Sequence, residues 1–336
     1  MWTRYFRRMK ARFGRWLSRA PDLFAAATVA GAGLSTLLGA WAWPVSSALH
    51  FFEWSGLVWS AGAALAIQRG SGAWVAAHVG PLGLWLALIS PQILRASEAP
   101  RPAAANAFRV VSFNVGNGRA SPHELCAALE ELDADLVLLQ ELNHAQAAAL
   151  EARGDALALH RELRPGGRRG KGVLSRFPLS EIRHVVATDG ATRVHGVVRT
   201  PLGDLAFVNL HARATVALLG PLTDFDEQVR EIARGAARER PTIVAGDFNL
   251  GPHSELLSPL ERADFENAFT RHGVGLGLSF PVFGRYRGLP VPPLVRIDHV
   301  FTRGLEVRSA QLGSSAGSDH RALIVCVTLP RKTPTN

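Results

Sequence analysis

The chain has 336 residues, 47% of them hydrophobic, enough for two or more compact regions, and its two cysteines exclude a disulfide-rich scaffold. The formal charge of +9 is gathered at the start, where Arg4, Arg7, Arg8, Lys10, Arg12, Arg15 and Arg19 stand with no acidic residue among them. About +2 remains for the rest, so the basic isoelectric point is no argument that the folded part binds nucleic acid.

Residues 1–20 are expected to form a basic cytoplasmic tail, and residues 21–95 a transmembrane region. Leu23 to Trp43 carries no charge over about 20 residues, the length a helix needs to cross a bilayer core. It exceeds the apolar stretch of a cleaved leader and more apolar sequence follows, so it reads as an anchor. A second run, Trp54 to Ile67, reaches spanning length if it starts near Ala48 and takes His50 and Glu53 at the interface. A third, Ala73 to Leu94, is long and contains Pro81 and Gly83, which spanning helices tolerate. Three helices are expected, with two as the alternative. Trp41, Trp43, Trp54, Trp59, Trp74 and Trp85 crowd into this region, as rings at a water interface do. The basic tail, the uncharged-by-Lys-or-Arg stretch from Pro44 to Glu53 and Arg69 between the second and third runs keep the N-terminus in the cytoplasm. With three spans the remainder lies outside that membrane; with two it is cytoplasmic.

Residues 96–107, mostly SEAPRPAAANA, read as a linker, and residues 108–330 as a second domain. In it several apolar strand patterns end in residues able to bind metal or move protons. Phe108 to Asn114 ends in Asn, Asp135 to Glu141 in Glu, and Leu205 to His211 in His. Ile243 to Leu250, IVAGDFNL, ends in Asp247, Phe248 and Asn249; RIDHVF carries Asp298 in a strand pattern; GSDHR sets Asp319 and His320 before the last strand. Any one of these could be an ordinary turn or cap, but six together point to one site. Further strands are expected from Gly172, Val194, Thr242 and Ala322 onward, and a helix over His123 to Leu132 behind Ser121 and Pro122. Cys126 and Cys326 read as small buried residues.

The pieces SFNV, LLQE, NLH, GDFN, IDHVF and SDHRAL, in that order, resemble the endonuclease/exonuclease/phosphatase (DNase I-like) superfamily, in a membrane-anchored bacterial type, over about Phe108 to Leu329. The resemblance implies a four-layer α/β/β/α sandwich, preceded here by N-terminal transmembrane helices, and metal-assisted hydrolysis of a phosphate ester. It implies Mg2+ or Mn2+ at Glu141, with Asn114 and Asp319 beside it, and catalytic roles for His211, Asp247, Asn249, Asp298 and His320. Asp247 would activate water, Asn249 would contact phosphate from the same face of the strand tip, and His320 would do so as a cation paired with Asp298. His211 in place of Tyr, NVGNG and SDH separate the chain from the exonuclease III branch. Arg213 and Lys171 are candidate substrate contacts, with Arg168 and Arg169 in the same basic run, which could equally be a solvated loop. Phe280 to Leu294, rich in Pro, Gly and aromatics, is a candidate pocket wall. Nucleic acid, phospholipid or a small phosphate would be the substrate, in a bacterial inner membrane with the domain periplasmic, and no protein partner is implied. The alternative is a non-catalytic, membrane-tethered module that binds phosphorylated ligands.

Overall fold

The computed structural model describes residues 52–95, 107–156, 160–187, 190–201, 203–213, 223–235, 240–284 and 288–328. The basic tail, the first apolar run and most of the linker lie outside the described residues. Strand pairing follows the apolar runs. One six-stranded sheet has the order β11-β12-β1-β2-β4-β3, built from β1 (Ala107–Asn114), β2 (Leu136–Gln140), β3 (His160–Arg164), β4 (Lys171–Ser175), β11 (Glu306–Leu312) and β12 (Leu323–Thr328). The other has the order β5-β6-β7-β8-β10-β9, from β5 (Leu179–Val186), β6 (Thr192–Thr200), β7 (Gly203–His211), β8 (Thr242–Asp247), β9 (Glu266–Asn267) and β10 (Asp298–Arg303).

Alternation along the central strands buries both faces. Phe108 and Val110 of β1, Leu205 and Phe207 of β7 and Ile243 and Ala245 of β8 fill the space between the sheets, while their neighbours face outward. Val111, Val137 and Leu139 meet α3 (Pro122–Leu132) and α4 (His144–Arg153) through Leu125, Leu129 and Leu150. Val208, Leu210 and Val244 meet α5 (Thr223–Gly235) through Phe225, Val229 and Ile232. The layers are therefore α/β/β/α. Ser121 caps α3 by accepting from Glu124 N, with Pro122 in the first turn, and Asn143 and Gln146 form a capping box on α4. Short helices α6 (Ser258–Arg262) and α7 (Ala268–His272) complete the domain.

The two later apolar runs are α1 (Phe52–Gln68) and α2 (Gly72–Ile93), joined by the turn at 69–71. Small residues let them approach: a Cβ on Gly56 would lie 2.6 Å from the Trp85 ring, and one on Gly62 2.0 Å from His78. Only α2, among the described residues, is long and apolar enough to cross a membrane. Leu57, Ile67, Val79, Leu84, Leu86 and Leu88 are exposed on the pair, an apolar surface unlike that of a core helix. The open end of this hairpin docks on the domain. There Trp54 Nε1 donates to Leu294 O (2.7 Å), Arg95 Nη1 to Gly273 O (2.7 Å) and Arg296 Nη1 to Gln92 Oε1 (3.1 Å).

Three local expectations are corrected. Asp298 opens β10 instead of lying inside it, because Ile297 and Asp298 spend their N–H groups on Ser279 Oγ. Cys326 is only half-buried on β12, unlike Cys126. Lys171 is no member of a solvated basic loop: it begins β4 and is 2% exposed.

Candidate functional site

Strand parity decides which side chains converge. Asn114 continues the inward series Phe108, Val110, Ser112; His211 continues Leu205, Phe207, Asn209; Asp247 continues Ile243, Ala245. Each ends its strand. β1 and β2 run parallel, as do β7 and β8, so these tips share one end of the sandwich. β10 is antiparallel to β8, with Asp298 opposite Asp247, and β12 is antiparallel to β1, which brings their starts, and the preceding Asp319 and His320, to that same end. Gly246 permits this ending: its φ is +147°, and a Cβ there would lie 1.8 Å from Leu210 O.

Asp247 is the hub. It is 2% exposed; Oδ2 accepts from Asn114 Nδ2 (2.9 Å) and Oδ1 from Asn249 N (2.9 Å). Burial raises its carboxyl to about 7, with Asp298 adding to the rise and His320, Asn114 and Asn249 opposing it. The His320 charge offsets that burial incompletely, because Nε2 stands 3.7 Å from Asp247 Oδ2 while Nδ1 is committed to Asp298 Oδ2 at 2.9 Å. Burial alone would lower His320, but the carboxylates of Asp298 and Asp247 raise it to about 10. The imidazole is thus a buried cation. Ser318 Oγ accepts from His320 N and donates to Asn114 O, locking the SDH turn to the end of β1.

His211 has the opposite character. Burial holds it well below its ordinary value, and Nδ1 lies 3.0 Å from the Arg168 carbonyl, which can only accept, so Nδ1 carries the proton and Nε2 is bare. That nitrogen lies 3.6 Å from Asp247 Oδ2 and 3.8 Å from Glu141 Oε1. Glu141 sits one residue past β2 with φ +56°, a left-handed conformation that points to a functional constraint on a non-glycine residue. Burial raises its carboxyl, and Asp319 adds to this, against His320 and Asn114. Asn249 is also left-handed, φ +50°, and stands in the turn after β8, so the turn and not strand alternation brings it to Asp247. Its Nδ2 donates to Ala212 O (2.9 Å). Lys171 Nζ donates to Thr192 Oγ1 (2.7 Å), and burial lowers it to about 7. Arg213 is exposed at the end of a described segment and is not drawn into the cluster.

The donor set suits a hard divalent cation. Glu141, Asn114 and Asp319 offer oxygen atoms only, the kind Mg2+ prefers, and the Asp298 Oδ1 atom is buried with no hydrogen-bond partner. Asp247, Asp298 and His320 also present ligand atoms within 4.8 Å of one another. His320, held cationic by both carboxylates, has no lone pair for a metal, which favours the Glu141 side.

Several supporting residues escaped the motif reading. Gln140 Nε2 donates to Asn209 Oδ1 (2.8 Å) across the two sheets, and Asn209 Nδ2 donates to Leu139 O (3.0 Å) and Gly172 O (3.1 Å). Their signal was present: each is a polar residue at an inward position of an apolar strand. Arg119 Nε lies 3.5 Å from Asp319 Oδ2. Phe280, within the expected pocket wall, has its ring 4.6 Å from that of His320.

A family model described as the endonuclease/exonuclease/phosphatase family matches residues 111–320. A UPF0294 protein of Vibrio vulnificus strain YJ016 is 38% identical over 138 residues, 39% of this chain and 43% of that protein. One from strain CMCP6 is 38% identical over 131 residues, 38% of this chain and 40% of that protein. The chain thus spans about two fifths of the length of these curated relatives. Among solved structures, an endonuclease/exonuclease/phosphatase from Beutenbergia cavernae is 19% identical, with TM-score 0.54, over 67% of this chain and 72% of that one. Truncated Caenorhabditis elegans TDP2 is 14% identical, with TM-score 0.54, over 67% of this chain and 99% of that one. D. rerio TDP2 complexed with a single-strand DNA product is 16% identical, with TM-score 0.54, over 66% of this chain and 99% of that one. At these identities the structural likeness concerns the fold.

Proposed function

The chain belongs to the endonuclease/exonuclease/phosphatase family, and from that premise we propose that it is a membrane-anchored, divalent-metal-dependent hydrolase of phosphate esters. The observation that carries the reading is Asp247, a buried carboxyl raised to about 7 between a cationic and a neutral histidine. A base of that affinity is matched to taking a proton from water near neutral pH. Asn114 and Asn249 fix the two oxygens of Asp247, so the carboxylate is aimed before substrate arrives. His320 presents Nε2–H to a phosphoryl oxygen, and Asp298 keeps it charged while that oxygen gains negative charge. His211, bare at Nε2, accepts a hydrogen bond from a water beside Asp247 and Glu141. Lys171 adds a buried amine facing the same carboxylates. Glu141, with Asn114 and Asp319, would hold Mg2+ or Mn2+. When bound, the cation neutralises charge on the phosphoryl group and its leaving oxygen.

The anchoring part of the reading is supported by the exposed apolar faces of α1 and α2. Their turn carries Arg69, and the domain meets the opposite end of the hairpin, about 25 to 33 Å away along the helices. By the positive-inside rule this favours a bacterial inner-membrane protein with its catalytic domain on the periplasmic side.

The test is hydrolysis of bis-p-nitrophenyl phosphate by the full chain in detergent, with Mg2+ or Mn2+ and with EDTA. Wild type should turn over only with metal, and Asp247→Asn should lose about 10²-fold or more of kcat with an unchanged melting temperature. Undiminished turnover by Asp247→Asn overturns the role of Asp247, and turnover unaffected by EDTA overturns metal dependence.

A further inference from the structure

From Phe280 to Val295 the chain forms a loop closed at its base, where Phe280 N donates to Val295 O (3.0 Å) and Val295 N to Phe280 O (2.8 Å). The base has two different neighbours. On one side Phe280 stands against His320 at 4.6 Å between ring centroids, and Val282 N donates to Asp319 O at 2.8 Å. This side is a wall of the hydrolytic site. On the other, Leu294 O accepts from Trp54 Nε1 at 2.7 Å in the first turn of α1, and Gly275 N, just ahead of the loop, donates to Gln92 O at 2.9 Å in the last turn of α2. One short segment therefore joins the end of the helix hairpin to the catalytic cation.

The outward surface of this junction is apolar. Phe283 is 63% exposed, Leu289 51% and Val274 43%, and α2 runs out through Ile93 at 50% and Leu94 at 79%. No Asp or Glu occurs in the sequence from Gly273 to Ile297, so nothing there repels an anionic surface. The covering is identified by continuity, since the same exposed apolar character runs along the hairpin through Leu84, Leu86 and Leu88. Trp54, with its ring nitrogen satisfied at the junction, has the character of an interfacial tryptophan.

Building on the hydrolase reading, we infer that residues 280–284 and 288–295 rest in the headgroup layer beside the hairpin. The site takes its phosphate ester from a phospholipid headgroup at the bilayer surface. In solution, free phosphodiesters reach the same residues without help from the loop, whereas a lipid must be brought to them by a wall that sits at the interface. Loop and chemistry are thus separable by experiment.

The full chain in phosphatidylethanolamine/phosphatidylglycerol mixed micelles, with Mg2+ or Mn2+, is compared with the double variant Phe283→Asp and Leu289→Asp. Neither residue belongs to the catalytic machinery. Release of phosphorylated headgroup or phosphate from lipid, cleavage of bis-p-nitrophenyl phosphate and cleavage of a single-stranded oligonucleotide are measured side by side. Wild type should cleave both the lipid and the soluble diester. The double variant should keep its soluble activity within about twofold, while its apparent KM for lipid rises about tenfold or more, the scale set by burial of one large apolar side chain. Cleavage of the soluble diester or the oligonucleotide without any cleavage of lipid by wild type overturns the inference and leaves the hydrolase standing. So does a double variant that handles lipid as wild type does. If wild type cleaves none of the three, the hydrolase reading fails and the inference fails with it.

Discussion

Replacing Asp298 by Asn removes the charge that keeps His320 cationic while retaining an oxygen to accept its Nδ1–H, now 2.9 Å from Asp298 Oδ2. In the native site the carboxylates of Asp298 and Asp247 raise the imidazole from 6.5 to about 10 against the pull of burial. Returning it to 6.5 corresponds to roughly 5 kcal/mol of proton affinity, at about 1.4 kcal/mol per tenfold change. At pH 8 a group of ordinary affinity is only about 3% protonated, so full loss of the shift sets a ceiling of about thirtyfold on the fall in kcat/KM. The sign for stability is the same. Because the folded value lies above the unfolded one, the His320 contribution is fully present below pH 6.5 and is lost as pH rises toward about 10. Asp298→Asn should therefore move the alkaline limb of bis-p-nitrophenyl phosphate hydrolysis down from near pH 10, with Asp247 and Asp319 still opposing burial. Measured against wild type at the same pH, which shares the titration of Asp247 near 7, its deficit should shrink at pH 5.5 to 6, and the loss of stability between pH 7 and 9 should flatten. An alkaline limb that stays where it was would refute the assignment of His320 as a cation held by Asp298.

Gly246→Ala places a Cβ 1.8 Å from Leu210 O at a φ of +147°, where neither backbone can yield; destabilisation of several kcal/mol is expected, seen as a collapse in folded yield or melting temperature, and a variant that melts like wild type would contradict the close β7–β8 approach. His195, lowered to about 4 by burial and by Arg193, accepts from Arg193 Nε at 3.0 Å, and its contribution is present above pH 6.5 and lost as pH falls toward 4. His195→Gln should remove up to about 3 kcal/mol of that acid sensitivity in urea melts at pH 4.5 and 7.5, and an unchanged difference between the two pH values would count against it.

How the sequence could and could not announce this fold follows from strand position. Eight strands were readable as apolar runs: β1, β2, β4, β6, β7, β8, β10 and β12. All are interior to their sheets. The four that were not, β3, β5, β9 and β11, are the edges. HRELR and EVRSAQL carry charges because one side of an edge strand meets solvent, and charged edges resist pairing with other chains. Such strands lack the continuous apolar signal that burial on both faces imposes. The hairpin shows the converse: α1 and α2 were readable because their apolar residues are uniform, and uniformity said nothing of the docking contacts at Trp54, Gln92 and Arg95.

The site was legible for a related reason. An apolar strand whose inward parity suddenly admits Asn114, His211 or Asp247 must either bury a polar group without reward or bring it to a partner, and several strands doing so at their ends can satisfy that demand only together. Parity does not reach residues supplied by turns. Glu141 and Asn249 adopt left-handed conformations that spacing does not encode, which is why an alternate-residue geometry for Asp247 and Asn249 was the wrong physical picture for the right pair of neighbours. Nor does parity reveal Phe280, which meets His320 across 40 residues of sequence through a loop with no periodicity. That loop is also where the hairpin attaches, so the least regular stretch of the domain connects the hairpin to the chemical end. A loop stapled at its base by Phe280 and Val295 can hold the wall of the site in place without the periodicity that a strand would write into the sequence.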